Sequence, residues 1–470
     1  MRKRLRFVLC VAMVALVGAS AAAAATVTPS TTNLPFTAIS AAAAKQAQQA
    51  PICPNGSVCY TPATLAQAYD FPTGKHAPTG LGQTIVLVVA YGSPTIASDL
   101  AQFDAENGLP APPSFTIRPQ QAPAASAGSG AFQMWAIETS LDVEYAHAMA
   151  PGAAIVLAVA ASDDTRDLRQ VQQEVIPQYP GSVVSVSFGI DEALLFGGEP
   201  QTPAALDQLY LAHVQTGGTI VAASGDLGAT GSLPFIPGAP ITPSANYPAS
   251  SPFVLSVGGT MGAHYPFGLW VDGHYGAEQA WNELIPVAPG AGASGGAPSI
   301  VYPAPPWQVG LTPTTMRAEP DVSYNAAFNG GVVVVLGGLH GVVGGTSAGA
   351  PQWAAIIALA DELRGDRGGQ RLGLATPQLW AIAQRKSNYR QDFHDILSGS
   401  NALGGPSSGL PGFNAGPGYD YPTGLGTPDV AQLIKDLSSG NPASFHFDDM
   451  LQHGSVVRRG GGHLHFGIGG

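Results

Sequence analysis

The sequence predicts an α/β protein with three layers, in which a mostly parallel central sheet is flanked by helices. Three observations lead to this fold class. Hydrophobic residues make up 45% of the 470 residues, which is enough for a large core. The strand candidates are continuous apolar runs, as expected for strands covered on both faces. Helical segments separate several of these runs, as crossovers between parallel strands require.

The elements follow in order along the chain. Buried strands are predicted at residues 84–90, 154–159, 182–187, 219–223 and 331–336. Helices are predicted at 136–150, 203–216 and 352–363. Residues 289–306 are rich in glycine and proline and are expected to form a surface excursion. One folded domain is therefore expected over residues 59–440.

The N-terminus has the layout of a signal peptide. Four basic residues between Arg2 and Arg6 precede an uncharged stretch at 7–25 that closes in small residues. A membrane anchor is the alternative, since these 19 residues could span a bilayer. The alanine-rich half is only weakly apolar, which favours cleavage near Ala25. We therefore expect a secreted, extracellular protein without a membrane anchor.

The segments that flank the predicted domain differ from it in composition. Residues 26–58 are rich in Ala, Pro and Gln and are expected to be a linker. A turn between Cys53 and Cys59 could bring the two thiols within disulfide range, and two unpaired thiols are the alternative. Residues 441–470 form a Gly- and His-rich tail without periodicity, expected to be weakly ordered.

The charge composition limits the partners of the protein. Charged residues are 11% of the chain and the formal net charge is −12. Soluble proteins usually carry about 25% charged residues. Nucleic acid is thus not expected as a partner, and a monomer is expected. A surface with few carboxylates changes little on protonation, which suggests tolerance of acid.

Residues 344–351, Gly-Gly-Thr-Ser-Ala-Gly-Ala-Pro, lie between an apolar strand and an apolar helix. Small residues allow close backbone packing there, and the hydroxyl of Ser347 would lie at the positive end of a helix dipole. Ser347 is therefore a candidate nucleophile. A glycine-rich helix cap without a catalytic role is the alternative.

Two carboxylates, Glu138 and Asp142, are spaced to share one face of a predicted helix. Such a pair is usually a solvated surface feature. The surrounding helix is apolar, however, so partial burial is expected, and close carboxylates in a low dielectric would share a proton.

A third candidate, Asp226, follows a predicted strand. The C-terminal ends of parallel strands are where active sites of α/β proteins form. A turn residue or helix cap is the alternative.

These three stretches together resemble the sedolisin family, the serine-carboxyl peptidases with a subtilisin-like fold. Further stretches match in the family's order: 60–65 (YTPATL), 68–72 (AYDFP), 247–253 (YPASSPF), 257–260 (VGGT), 294–299 (SGGAPS) with 307–308 (WQ), and 319–323 (EPDVS). The resemblance runs from about Cys59 to Leu437. It implies a serine-type endopeptidase that cleaves proteins or peptides.

The resemblance also implies a role for each candidate. Ser347 would be the nucleophile, Glu138 its general base, Asp142 the residue that orients Glu138, and Asp226 a donor in the oxyanion hole. A carboxylate base suits acidic solution, because a histidine with a pKa near 6.5 is almost fully protonated at about pH 4. Asp226 must be protonated to donate a hydrogen bond, which again requires acid.

One structural calcium ion is a further implication of the resemblance. Two stretches, 394–396 (HDI) and 416–420 (GPGYD), are similar to the family's calcium loops. Its ligands would be the carboxylates of Asp395 and Asp420 with the carbonyls of Ile396, Gly416 and Gly418. Hard oxygen donors suit calcium. Aspartates in ordinary turns are the alternative.

The sequence departs from the family's usual pattern in three places. Only 34 residues lie between Ala25 and Tyr60, too few for the family's large N-terminal prodomain. Gly349 stands where the motif more often has serine, and Ala297 interrupts the glycine-rich loop.

Two rival functions stay open. Residues 345–349 also satisfy the G-x-S-x-G nucleophile elbow of α/β-hydrolases, with Asp395 and either His453 or His463 as partners in an esterase. A non-catalytic secreted protein on a peptidase fold is the second. A subtilisin-type Ser-His-Asp site needs a histidine on the helix that carries Glu138 here.

Overall fold

The computed structural model of the chain describes residues 28–29, 37–47, 58–119, 130–198, 201–239, 241–263, 268–284 and 290–439. The helices in these ranges are α1 Ala41–Ala47, α2 Pro62–Ala68, α3 Ile96–Asn107, α4 Gly130–Met149, α5 Thr165–Val175, α6 Glu192–Gly198, α7 Gln201–Gln215, α8 Gly349–Asp366, α9 Thr376–Gln384, α10 Lys386–Asp392 and α11 Val430–Ser439.

The strands of the first half are β1 Thr28–Pro29, β2 Thr37–Ile39, β3 Cys59–Tyr60, β4 Thr84–Ala90, β5 Phe115–Arg118, β6 Ala154–Ala160, β7 Val183–Val186, β8 Phe188–Asp191, β9 Thr219–Ala223, β10 Asn246–Tyr247 and β11 Val254–Gly262. Those of the second half are β12 Trp270–Val271, β13 His274–Tyr275, β14 Glu278–Ala280, β15 Asn282–Leu284, β16 Ala291–Ala293, β17 Pro298–Pro303, β18 Met316–Ala318, β19 Val322–Asn325, β20 Gly331–Leu336, β21 Leu339–Val343, β22 Phe393–His394 and β23 Thr427–Pro428.

The central sheet is mostly parallel, which confirms the predicted α/β class. Its order is β14-β11-β9-β7-β4-β6-β5, and β19 also pairs with β11. The β11–β14 pair is antiparallel, and the other pairs are parallel. Residues on both faces of β4, such as Val86 and Leu87, are fully buried, because helices flank the sheet.

Helices α4 and α8 position the candidate residues. They pack against each other and against central strands, while α5 and α7 form a second packed pair. A single 3-10 turn, Thr346–Ala348, leads directly into α8 and also contacts α4. Burial of apolar surface contributes about 25 cal/mol per Å² to the free energy of unfolding. The packing against α8 and the central strands therefore stabilises the position of α4, the helix that carries the two candidate carboxylates.

Part of the stretch predicted as a linker is folded onto the domain. Strand β2 pairs antiparallel with β21, and helix α1 buries Ala43, Ala44 and Ala47. Their partners include Val333 and Val342. The composition was misleading because alanine is typical of flexible linkers and is also the best helix former.

Residues 290–303 do not form the expected surface excursion. They form β16 and β17, and Ala293 and Ala297 are fully buried. The Gly295 N–H donates to the Gly225 carbonyl at 2.6 Å, so the small residues permit a close approach of two backbones.

Cys59 is disulfide-bonded. Its expected partner Cys53, the predicted signal peptide at 1–25 and the tail 441–470 lie outside the described residues. None of the helices in the described ranges is long and apolar enough to cross a membrane.

Candidate active site

Helix α4 carries Glu138 and Asp142 in the interior of the protein. Both side chains are fully buried. The helix contacts the Thr346–Ala348 turn, so the structure brings the two carboxylates and Ser347 into one region. Burial raises the pKa of Asp142 well above its usual value, because desolvation penalises the charged form.

Ser347 lies in the turn before α8. Gly345 precedes this turn with a φ of 110°, a conformation that glycine adopts without strain. A Cβ at Gly349 would lie 2.8 Å from Val257 Cγ1 and 2.9 Å from Tyr324 Cβ, so this position favours glycine over the serine expected from the family motif. Ser347 is fully buried, and its Oγ donates to the Ser187 carbonyl at 3.2 Å.

Ser187 joins the candidate nucleophile to the carboxylate pair. Its carbonyl accepts the Ser347 bond, and its own Oγ donates to Asp142 Oδ1 at 2.7 Å. The bond from Ser187 lowers the pKa of Asp142 and so opposes the effect of burial. Ser187 was not among the residues predicted for the site, although its position at the end of the strand predicted at 182–187 was a usable signal.

Asp226 approaches the same turn from β9. Its Oδ1 accepts hydrogen bonds from the N–H and the hydroxyl of Thr346, each at 2.8 Å. Its Oδ2 has no hydrogen-bond partner within the described part of the chain. Burial raises the pKa of Asp226 to about 7, and the two bonds from Thr346 act in the opposite direction. In acid this carboxyl is therefore neutral, and its protonated Oδ2 can donate a hydrogen bond.

One residue of the esterase alternative, Asp395, makes hydrogen bonds that do not involve Ser347. Asp395 accepts bonds from the Tyr389 hydroxyl and the Gly418 N–H in the C-terminal loops, whereas the Ser347 hydroxyl bonds the Ser187 carbonyl. The histidines at 453 and 463 lie outside the described residues.

The predicted calcium ligands lie on two loops that contact each other. Gly418 N–H donates to both Asp395 oxygens at 3.0 and 3.1 Å, and Gly416 N–H donates to Asp420 Oδ2 at 2.9 Å. Over residues 290–439, no backbone N–H donates to the carbonyl of Ile396, Gly416 or Gly418. Two carboxylates and three available carbonyls are a donor set that fits calcium.

This site differs from a cluster of acidic and histidine side chains. No group of three or more His, Cys, Asp or Glu residues suited to a metal occurs among the residues that the structure describes. The predicted set has only two carboxylates and would complete its coordination with backbone oxygens, as calcium readily does.

No family model matches the chain, but comparisons with known proteins find relatives. Kumamolisin from Bacillus sp. (strain MN-32) is 32% identical over 388 residues, covering 80% of this chain and 63% of that protein. Sedolisin from Pseudomonas sp. (strain 101) is 29% identical over 382 residues, covering 79% and 61%. The chain thus spans about three fifths of the length of these relatives.

A solved structure, Pseudomonas sedolisin (serine-carboxyl proteinase) complexed with two molecules of pseudo-iodotyrostatin, matches with a TM-score of 0.67 and 27% identity. The match covers 82% of this chain and 99% of that one. Fold and site define a protein with a subtilisin-like α/β fold, in which buried carboxylates and a serine lie together. In sequence and in fold, the chain is similar to members of the sedolisin family.

Proposed function

We propose that the protein is a secreted, acid-active serine-carboxyl endopeptidase that cleaves protein or peptide substrates. The observation that carries this proposal is the connection of Ser347 to Asp142 through Ser187, with Asp226 bonded to the residue before Ser347. The relatives support peptidase activity, since they include sedolisin and tripeptidyl-peptidase 1 from Mus musculus. The latter is 31% identical, covering 64% of this chain and 52% of that protein.

In the proposed reaction, Ser347 Oγ attacks the carbonyl carbon of the scissile peptide bond while Glu138 accepts its proton. Asp142 orients Glu138, and Ser187 holds Asp142 through Oδ1. Asp226 donates a hydrogen bond to the developing oxyanion. Glu138 then returns the proton to the leaving amine, and water hydrolyses the acyl-enzyme by the same route.

Buried carboxyl groups support stability of the folded protein in acid, where the proposed enzyme acts. Burial raises the pKa of Asp191 and Asp207 to about 6, and that of Asp226 and Asp361 to about 7. A raised pKa in the folded state means that folding favours the protonated group. The stabilisation is fully present below the unfolded pKa near 3.8 and is lost as pH rises through 6 to 7. This fold should therefore be most stable in acid.

One calcium ion is proposed as a structural cofactor. Asp395 and Asp420 would neutralise it, and the carbonyls of Ile396, Gly416 and Gly418 would complete its oxygen shell. The ion would tie the two C-terminal loops together without contact to the reacting atoms.

The test is a pH–rate profile on denatured casein for wild type, Ser347→Ala, Glu138→Ala and the exposed control Glu174→Ala. We expect a maximum in acid, loss of activity in the first two variants, and a wild-type profile in the control. A maximum above about pH 8, or full activity of Glu138→Ala, would contradict the carboxylate-base mechanism.

A further inference from the structure

The hydroxyl of Thr346 takes part in two hydrogen bonds whose directions are fixed. The Gly225 N–H donates to Thr346 Oγ1 at 3.1 Å. Thr346 Oγ1 in turn donates to Asp226 Oδ1 at 2.8 Å. A hydroxyl has a single hydrogen, and a backbone N–H can only donate. The Thr346 hydroxyl therefore accepts a bond from Gly225 and uses its own hydrogen toward Asp226.

A second donor acts on the same carboxyl oxygen. The backbone N–H of Thr346 also donates to Asp226 Oδ1, at 2.8 Å. Oδ1 thus receives two hydrogens, and a proton of its own would lie against both of them. Oδ2 is buried and has no hydrogen-bond partner within the described part of the chain. When Asp226 is protonated, the proton therefore belongs on Oδ2.

The packing around Thr346 keeps its hydroxyl in this direction. The residue is fully buried, and its methyl group lies against Gly259, where a Cβ would come within 3.2 Å of Thr346 Cγ2. On the other side, the Asp226 carbonyl accepts a bond from the Ala293 N–H at 2.9 Å. Both partners are held by neighbouring backbone, so the bond between them does not depend on a mobile side chain.

We propose that Thr346 is a positioning residue that directs the proton of Asp226 onto Oδ2, from which Asp226 bonds the developing oxyanion. The inference rests on the proposed function of the Ser347 site, with Asp226 as its oxyanion donor. Thr346 makes no contact with the reacting atoms in this role and acts only through Asp226.

The bonds from Thr346 also set an upper limit to the pH range. Burial raises the pKa of Asp226 to about 7, and the two bonds from Thr346 oppose this rise, because they stabilise the charged carboxylate. Without the hydroxyl, the pKa of Asp226 should rise further. Asp226 should then stay protonated to a higher pH, although its proton is no longer directed to one oxygen.

Few other ionisable groups surround this carboxyl. The turn before α8 packs against α4, α8, β9, β11 and β19. Helix α4 contributes Glu138 and Asp142 to the site, and β19 contains Tyr324. Strands β9, β11 and β16 contain no ionisable residue, and α8 contains none before Asp361. A change at Thr346 leaves all of these groups in place, so a shift in pH dependence would report on Asp226.

The experiment compares two substitutions of Thr346. Thr346→Val replaces the hydroxyl by a methyl group, and Thr346→Ser retains the hydroxyl. On a synthetic peptide substrate at about pH 4, we expect Thr346→Val to lower kcat about tenfold with little change in KM, because the proton is then shared between two oxygens. The decline of kcat at higher pH should move up by about one pH unit. Thr346→Ser should restore the wild-type profile.

Thr376→Val is the matched control. Thr376 is also buried, and its Oγ1 has no hydrogen-bond partner within the described chain. This variant should keep both kcat and its pH dependence. A general loss of packing on exchange of threonine for valine would affect both sites alike.

Urea unfolding gives a readout that does not require catalysis. The loss of stability caused by Asp226 ends once the pH passes the pKa of this group in the folded state. In Thr346→Val the loss should continue for about one further pH unit. This extra loss should be absent from the double variant Thr346→Val, Asp226→Asn, in which the side chain at 226 no longer ionises.

The results separate the two proposals. With hydrolysis intact, an unshifted decline of kcat in Thr346→Val would overturn the inference and leave the peptidase function standing. An equal loss of kcat in Thr346→Ser would also overturn it, because the hydroxyl would then not be the group that matters. Absence of hydrolysis in wild type at every pH would overturn the proposed function, while the urea series would still show whether the Thr346 hydroxyl controls the ionisation of Asp226.

Discussion

Asp226 offers the most direct test of the proposed mechanism, through Asp226→Asn. The asparagine Oδ1 can keep both hydrogen bonds from Thr346, and its NH2 group takes the place of Oδ2. An amide donates a hydrogen bond at every pH, whereas the carboxyl donates only while it is protonated. The variant therefore separates the donor function of Asp226 from its ionisation.

The substitution should affect two quantities, kcat and the pH dependence of the free energy of unfolding. At about pH 4 the Asn variant should keep kcat within about tenfold of wild type, while Asp226→Ala should lose about 10²–10³-fold, because one oxyanion donor contributes about 3–4 kcal/mol. The pKa of Asp226 rises from 3.8 to about 7 on folding. Between pH 4 and pH 7, ionisation of this group should lower the free energy of unfolding of the wild type by about 3 kcal/mol, a loss that Asn avoids.

The assays are kcat against pH and urea unfolding at pH 4 and pH 7. Asp361→Asn is a matched control, because Asp361 is also buried with a pKa of about 7 and also has one unpartnered oxygen within the described chain. It should alter the stability profile and leave the decline of kcat near pH 7 unchanged. If Asp226→Asn keeps the wild-type decline near pH 7, or falls as far as Asp226→Ala at pH 4, Asp226 is not the oxyanion donor.

Two further predictions concern Ser187 and the calcium loops. Ser187→Ala should lower kcat about 10- to 100-fold with little change in KM, since it leaves the buried Asp142 Oδ1 without its hydrogen-bond donor, which costs about 1–3 kcal/mol. Ser185→Ala, a fully buried serine whose Oγ has no hydrogen-bond partner in the described structure, is the control, and an equal loss in both would refute the bridging role. A calcium chelator should lower Tm by several degrees, reversibly on adding calcium, because a ligand at 100 times its Kd adds about 2.7 kcal/mol. Asp420→Asn should abolish this response and the exposed Asp366→Asn should retain it, so an unchanged Tm in wild type would contradict the site.

The buried strands were predictable because their burial is reflected in the local sequence. The strands at 84–90, 219–223 and 331–336 have the predicted bounds. Strands buried on both faces are continuous apolar runs, so a window of seven residues is enough. Helix α8 was predicted from 352 but begins at Gly349, because Pro351 is tolerated in the first turn of a helix.

The candidate residues were predictable to a different extent. Ser347, Glu138, Asp142 and Asp226 each lie in a stretch with its own local signal and a family resemblance. Their roles depend on contacts over long sequence separations, such as Ser187 with Asp142 and Asp226 with Thr346. Composition gave a wrong prediction for α1, because alanine is common both in linkers and in helices. The burial of the α1 alanines depends on Val333 and Val342, which lie far along the chain.

By itself, the sequence determined the α/β class, the order of the elements and the stretches that hold the candidate serine and carboxylates. Those features depend on residue type and short periodicity. Only the tertiary structure decided that Ser187 joins Ser347 to Asp142, that burial keeps Asp226 protonated up to about pH 7, and that Thr28–Pro29 pairs with β8. These depend on desolvation and on hydrogen bonds between distant segments, which arise only when the chain packs.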